Sequence, residues 1–270
     1  MKWKNWCQSS INLIGNVIYT PDKEGAGIFF MDVESIPMYP SKPRNLFNKI
    51  KIDKNLLLDI NKKLQEQSID YNYFLSKIYL ITENNFSYLS DIVYQQWDLV
   101  PIKPTDYNDI FSSKNKNETY LILTVQSKSE YSHFVSAQLF SNEEKLMNNS
   151  SKKISLERIM EFKSKDFDKE IRKYIEYSGI SKRKEFQTWV SKNNQEGIED
   201  IIITYYENNV YFDKKRPVWK LENYYSKPYK NSFLTYLSLV SEVSDISKQD
   251  QVLIHFNPDN SGCAVYIRNR

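Results

Sequence analysis

The sequence predicts an α+β protein in which antiparallel β hairpins form a sheet covered by helices. Three observations predict it. Apolar runs come in pairs across turn-forming residues, and apolar stripes of helical period fill the intervals. Consecutive hairpins also favour antiparallel pairing over the long crossovers that parallel strands need.

Taken in order, Trp3, Cys7, Ile11 and Ile14 predict a helix that stops at Gly15. Asn16 to Thr20 and Gly27 to Asp32 flank a turn containing Pro21, Asp22 and Gly25, a first hairpin. Asp53 caps a helix whose buried face carries Leu57, Ile60 and Leu64. Thr119 to Gln126 and Phe134 to Phe140 make a second hairpin. The polar stretches 112–117 and 148–153 have nothing apolar to bury and read as surface loops. The second divides a mixed, β-rich half (1–150) from a helix-rich half that ends in a hairpin (151–270); it is either a domain boundary or a loop within one domain.

In the second half, Phe167, Ile171, Tyr174 and Ile175 form a stripe, with Asp166 at its start and Gly179 past its end. Ser181 opens a further helix carrying Phe186, Trp189 and Val190. The β-branched run Ile201 to Tyr206 and the segment Val210 to Phe212 predict a third hairpin through Glu207, Asn208 and Asn209. Ser232 to Ile246 is apolar over much of its circumference and predicts a buried helix. Val252 to Phe256 and Cys263 to Arg268 close the chain as a last hairpin.

The 270 residues are 40% hydrophobic and 26% charged, a balance that folds as one large or two small domains. No apolar run approaches the ~20 residues that cross a bilayer, and the first residues carry no secretory signal, so no membrane contact and a cytoplasmic location are expected. Only six glycines, two histidines and two cysteines are present. Phosphate-cradling loops, structural zinc and histidine-based triads are built from those types, so most recognisable chemistries lack material. Cys7 and Cys263 cannot supply a zinc site between them and read as reduced core residues.

Oxygen-ligated Mg²⁺ needs neither His nor Cys. If Gly27 to Asp32 is a strand, Asp32 and Glu34 share a face beyond Asp22. This resembles the Asp…(Asp/Glu)-x-(Lys/Glu) core of the restriction-endonuclease-like nucleases, with Glu34 where lysine is usual. The resemblance implies a Mg²⁺-dependent nuclease whose ion is held by Asp22, Asp32 and Glu34, with Lys23 or Lys128 supporting the attacking water. A second acidic candidate is Asp109 with Gln126-Ser127-Lys128. The plainer reading of both is solvated loop residues.

His133 and His255 each precede a phenylalanine in an expected strand. Two-histidine phosphoesterases place a hydroxyl two positions after each histidine, where this chain has Val135 and Asn257. Both histidines therefore read as structural. Basic residues interleaved with aromatics give the clearest binding signal: Lys182, Arg183 and Lys184 before Trp189, and Lys214, Lys215, Arg216, Trp219 and Lys220 before Tyr224 and Tyr225. Such segments neutralise phosphates while rings stack on bases; the alternative is solvated lysines beside core aromatics.

The function expected from these observations is a non-catalytic binding or adaptor subunit of a larger complex. It has protein partners, no cofactor, and a basic-aromatic surface open to nucleic acid. The Mg²⁺ nuclease and a pure protein-interaction module are the alternatives. The premise is that no working centre assembles; a histidine beside a nucleophile in the folded molecule would remove it.

Overall fold

Hairpins do organise the sheet, but they are stitched together by parallel pairs. In the computed structural model, described at residues 10–39, 42–105, 107–111, 117–178, 180, 186–192, 195–209, 218–226 and 232–270, the strands are β1 (Ser10–Tyr19), β2 (Leu75–Thr82), β3 (Thr119–Gln126), β4 (Phe134–Phe140), β5 (Ile154–Lys163), β6 (Phe186–Ser191), β7 (Trp219–Lys220), β8 (Asp250–Phe256) and β9 (Ser261–Asn269). They lie in one sheet in the order β2-β3-β4-β1-β5-β9-β8-β6-β7. The hairpins β3/β4 and β8/β9 are antiparallel, as are β1/β4, β1/β5 and β5/β9. Pairs β2/β3, β6/β8 and β6/β7 are parallel. The expected antiparallel sheet is thus a mixed one, because helices rather than turns connect β2 to β3 and β6 to β8.

The order contains a repeat that the sequence hides. Strands β1 to β4 are arranged 2-3-4-1, and β5, β6, β8 and β9 follow as 1-4-3-2, with parallel and antiparallel pairs in matching places. Even the outermost strand β7 has a counterpart, the lone parallel bridge Tyr79–Ile102 beside β2.

The longer helices are α1 (Lys54–Gln67), α2 (Phe86–Trp97), α3 (Phe167–Ser178), α4 (Ile198–Asn209) and α5 (Ser232–Ser247). Three apolar clusters show how they layer. One joins α5 to inward residues of both sheet halves, among them Ile122, Phe134, Leu237, Leu253 and Val265. A second packs α1 and α2 against the outer face of the first half through Leu57, Ile60, Leu89, Leu121 and Ala137. The third packs α3 and α4 against the outer face of the second through Ile171, Ile202, Val252 and Ile254. Helix α5 is therefore the central layer, which explains why it is apolar almost all round.

Several expectations hold residue for residue. Asp53 caps α1, accepting from the Asn55 and Leu56 amides at 3.0 and 3.2 Å, which contributes about 1 kcal/mol. The β3/β4 hairpin has the expected bounds. Others fail for identifiable reasons. Residues 201–209 belong to α4, not a hairpin: Ile198, Ile202 and Tyr206 recur every four residues on the buried face, and Glu199 and Asp200 sit in the first turn. That spacing outweighs β propensity. Ile11 and Ile14 lie in β1, which is buried on both faces and so lacks a strand's alternation. Phe186 to Val190 form β6 rather than a helix. Residues 25–30 form a 3₁₀ turn instead of a strand.

Candidate functional site

At the carboxyl ends of β2, β5 and β8 lies a cavity of about 640 Å³. The first half of the sheet contributes Leu80, Ile81, Thr82 and, from the following loop, Lys103 to Thr105. The second half contributes Glu161 to Lys163, Asn257, Asp259 and Ser261 to Cys263, and Leu234 of α5 closes the interior. Just past the turn from β8, strand β9 approaches its neighbours closely at Gly262. A Cβ there would lie 2.4 Å from the Phe162 ring and 2.7 Å from the His255 carbonyl oxygen.

Behind that turn, strand register places three reactive side chains in one row. Ser191 of β6 is opposite His255 of β8, and His255 is opposite Cys263 of β9. The imidazole lies between a hydroxyl and an amide: Nδ1 is 3.2 Å from Ser191 Oγ and Nε2 is 3.1 Å from Asn257 Oδ1. Beyond it, Asn257 Nδ2 donates to Ser261 Oγ at 2.8 Å, and Ser261 Oγ donates to Asp259 Oδ1 at 2.5 Å. Ser191 and His255 are fully buried, and Phe233 and Tyr236 of α5 flank the imidazole at ring distances of 6.0 and 6.2 Å.

The chain of bonds fixes its own proton positions. An ionised carboxylate only accepts, so Ser261 must donate to Asp259 and accept from the Asn257 amide nitrogen. The Asn257 oxygen then faces Nε2, which carries the proton. That leaves the Nδ1 lone pair to accept from the Ser191 hydroxyl. Burial pushes the His255 pKa down to about 3, against a smaller opposing pull from Asn257, so the ring is neutral near pH 7. A neutral imidazole bonded to a hydroxyl on one side and held by an amide on the other is the arrangement that activates oxygen nucleophiles. Cys263, opposite His255 in register, lines the cavity. Burial, and then the charges of Glu161 and Asp259, raise its thiol well above the usual range.

The residues singled out from the sequence lie elsewhere. Asp22 is bound by Arg44 at 2.7 and 3.1 Å. Asp32 is exposed in the link between two 3₁₀ turns, and Glu34 is exposed on the second of them, Val33–Ser35. Without a strand there is no shared face, and among the described residues no three His, Cys, Asp or Glu converge on a metal position. Asp109 is occupied by Thr105, and Lys128 lies 3.7 Å from Glu83. Trp219 is buried and stacked on Trp189 at 5.0 Å, so its ring is not offered to a base. Lys220 pairs with Glu199 at 3.2 Å. Lys182, Arg183, Lys184, Lys214, Lys215 and Arg216 fall outside the described residues. His133 lies in the β3/β4 connection, not in a strand, and its amide donates to the Arg44 carbonyl. The centre was missed because Ser191 is 64 residues from His255. The one local signal is His255-x-Asn257, which sets an amide where the sequence reading sought a hydroxyl.

No protein-family model matches the chain, and no curated protein is similar to it in sequence. Solved structures are similar in fold. They include a type II PKS acyl-carrier protein in complex with its ketosynthase (AntDE:AntF), with a TM-score of 0.65 at 9% identity over 97% of this chain and 99% of that one. The ketosynthase from module 6 of the bacillaene synthase of Bacillus subtilis 168 gives 0.67 at 10% identity, over 97% and 71%. The 3-oxoacyl-[acyl-carrier-protein] synthase III of Aquifex aeolicus VF5 gives 0.55 at 11%, over 96% and 99%. The chain thus has the thiolase-like fold of the ketosynthases, a mixed sheet covered by helices.

That likeness corrects the functional expectation. The three structures named above are ketosynthases and a 3-oxoacyl-[acyl-carrier-protein] synthase, not nucleic-acid-binding proteins or nucleases. It overturns the non-catalytic adaptor contacting nucleic acid, the Mg²⁺ nuclease and the pure interaction module together. The premise loses its footing too, since His255 does stand beside a hydroxyl, that of Ser191. Among the described residues, no helix is long and apolar enough to cross a membrane.

Proposed function

We propose that the chain is an acyl-transferring enzyme that accepts an acyl group from a thioester, with Ser191 as acceptor and His255 as its base. The observation that carries this reading is the directional bond series from Ser191 through His255 and Asn257 to the cavity wall. Ser191 Oγ attacks the thioester carbonyl carbon while its proton passes to His255 Nδ1. The carbon–sulfur bond breaks and the departing sulfur takes that proton, leaving an ester on Ser191. Asn257 holds the ring and supports the transient imidazolium. So weak a base suits a thioester, which is activated, better than an amide. Ser191 is fully buried and the cavity is lined by Asn257 rather than by Ser191 itself. The turn after β8 must therefore shift for an acyl group held in the cavity to reach the hydroxyl. A carrier protein presents that group, the neighbour of the same fold being an acyl-carrier protein in complex with its ketosynthase.

Incubation with hexanoyl-pantetheine, followed by peptide mass spectrometry, tests the reading. A hexanoyl group on Ser191, absent from Ser191→Ala, is expected. Labelling of Cys263 would move the acceptor to the thiol, and an unlabelled protein releasing no pantetheine would end the proposal.

A further inference from the structure

Between the first half of the sheet and α5 runs a line of polar side chains that apolar packing does not explain. On the inward face, Thr124 of β3 is opposite Ser136 of β4, and Gln138 of β4 is opposite Asn16 of β1. Their orientation follows from alternation with Ile122, Phe134 and Phe140, which belong to the central cluster. Above them, Ser232, Thr235, Ser238 and Glu242 succeed one another at helical spacing along α5.

The two ends of this line are paired. Ser232 Oγ donates to Gln126 Oε1 at 3.3 Å, and Gln126 Nε2 donates to the Ser132 carbonyl at 2.7 Å. At the other end, Ser238 Oγ donates to Asn16 Oδ1 at 2.7 Å. Asn16 Nδ2 donates to Glu242, which in turn binds Lys152 at 2.9 Å. Helix α5 therefore passes from β3 to β1 and crosses β4 midway, at the level of Thr235. There the pairing stops. Thr124, Ser136, Gln138 and Thr235 are completely buried. Gln138 Oε1 and Nε2, Thr124 Oγ1, Ser136 Oγ and Thr235 Oγ1 all lack a partner among the described residues.

Each orphaned buried group costs the fold about 1–3 kcal/mol, and these five atoms fall on adjoining register positions of β3 and β4 and on the helix that crosses them. We infer that this gap is a binding site for ordered water, held between Gln138 and Thr235 and bridging the two paired ends of the line. The site offers donors and acceptors together, as water requires, and carries no charge that would select an ion. It is independent of the chemistry at Ser191.

Oxygen-17 magnetic relaxation dispersion on the purified protein counts long-lived internal water. The expected result is a dispersion that falls by at least one water in Gln138→Leu, with a melting temperature lower by about 2–4 °C. Thr235→Val, which keeps the side-chain shape, gives the same loss of dispersion and serves where Gln138→Leu folds poorly. An unchanged dispersion in both variants, or a higher melting temperature in either, overturns the inference.

Discussion

The two halves of the sheet share one strand order yet treat the same position differently. The last inward residue of β3 is Gln126, and its counterpart at the end of β8 is His255. Both are buried against α5 and both bond into the hairpin that follows. Gln126 makes only structural amide bonds. His255 is bonded to a hydroxyl and has a thiol opposite it in register. A repeated frame therefore concentrates ionisable chemistry in one copy and leaves the other as support.

The largest expected difference between the halves is acid sensitivity. His255 has a folded pKa far below its unfolded value near 6.5, so the unfolded chain binds the extra proton more readily. Its contribution is intact above pH 6.5 and is lost as pH falls toward 3, about 5 kcal/mol in all. Urea titrations at pH 7 and pH 4.5 should show about 2–3 kcal/mol of this loss in the wild type. His255→Gln should take up about one proton fewer on unfolding, while Gln126→Leu keeps the wild-type pH slope. Equal slopes in all three would erase the contrast.

A second test breaks the joint between the halves. Lys152 precedes β5 and binds Glu242 and Asp245 of α5 at 2.9 and 2.6 Å. Lys152→Met strands two carboxylates that retain some water contact. The expected loss is about 3 kcal/mol, read by chemical denaturation. Burial lowers the Lys152 pKa, but the two carboxylates more than offset it and hold it above 10.5. The contribution of the ammonium is thus complete below pH 10.5 and disappears as pH rises through the folded value.

A smaller effect sharpens the comparison at the level of one atom. Gly262→Ala places a methyl against Phe162 and the His255 carbonyl, and should cost about 1–3 kcal/mol. Gly27→Ala in the first half meets nothing closer than 3.6 Å and should leave the melting temperature unchanged. Differential scanning calorimetry of the two variants separates them.

Much of the framework was legible in the sequence, because hairpins and capped amphipathic helices are local. The Asp53 cap, the β3/β4 hairpin and the buried α5 are all visible within short, contiguous windows of sequence. Parallel pairing of β6 with β8 was not, since it joins residues about 64 apart and leaves no alternating pattern in strands buried on both faces. The centre depends on that pairing, as Ser191 meets His255 only through it. The acidic candidates failed for the converse reason: Asp32 and Glu34 shared a face only if a strand formed there.

Strand β9 is the last in chain order, yet it lies between β5 and β8 in the middle of the sheet. Until it is synthesised, five strands and three strands face each other with open edges, and neither group can close on the other. During translation the nascent polypeptide thus exposes two pairing-competent borders until β9 joins them.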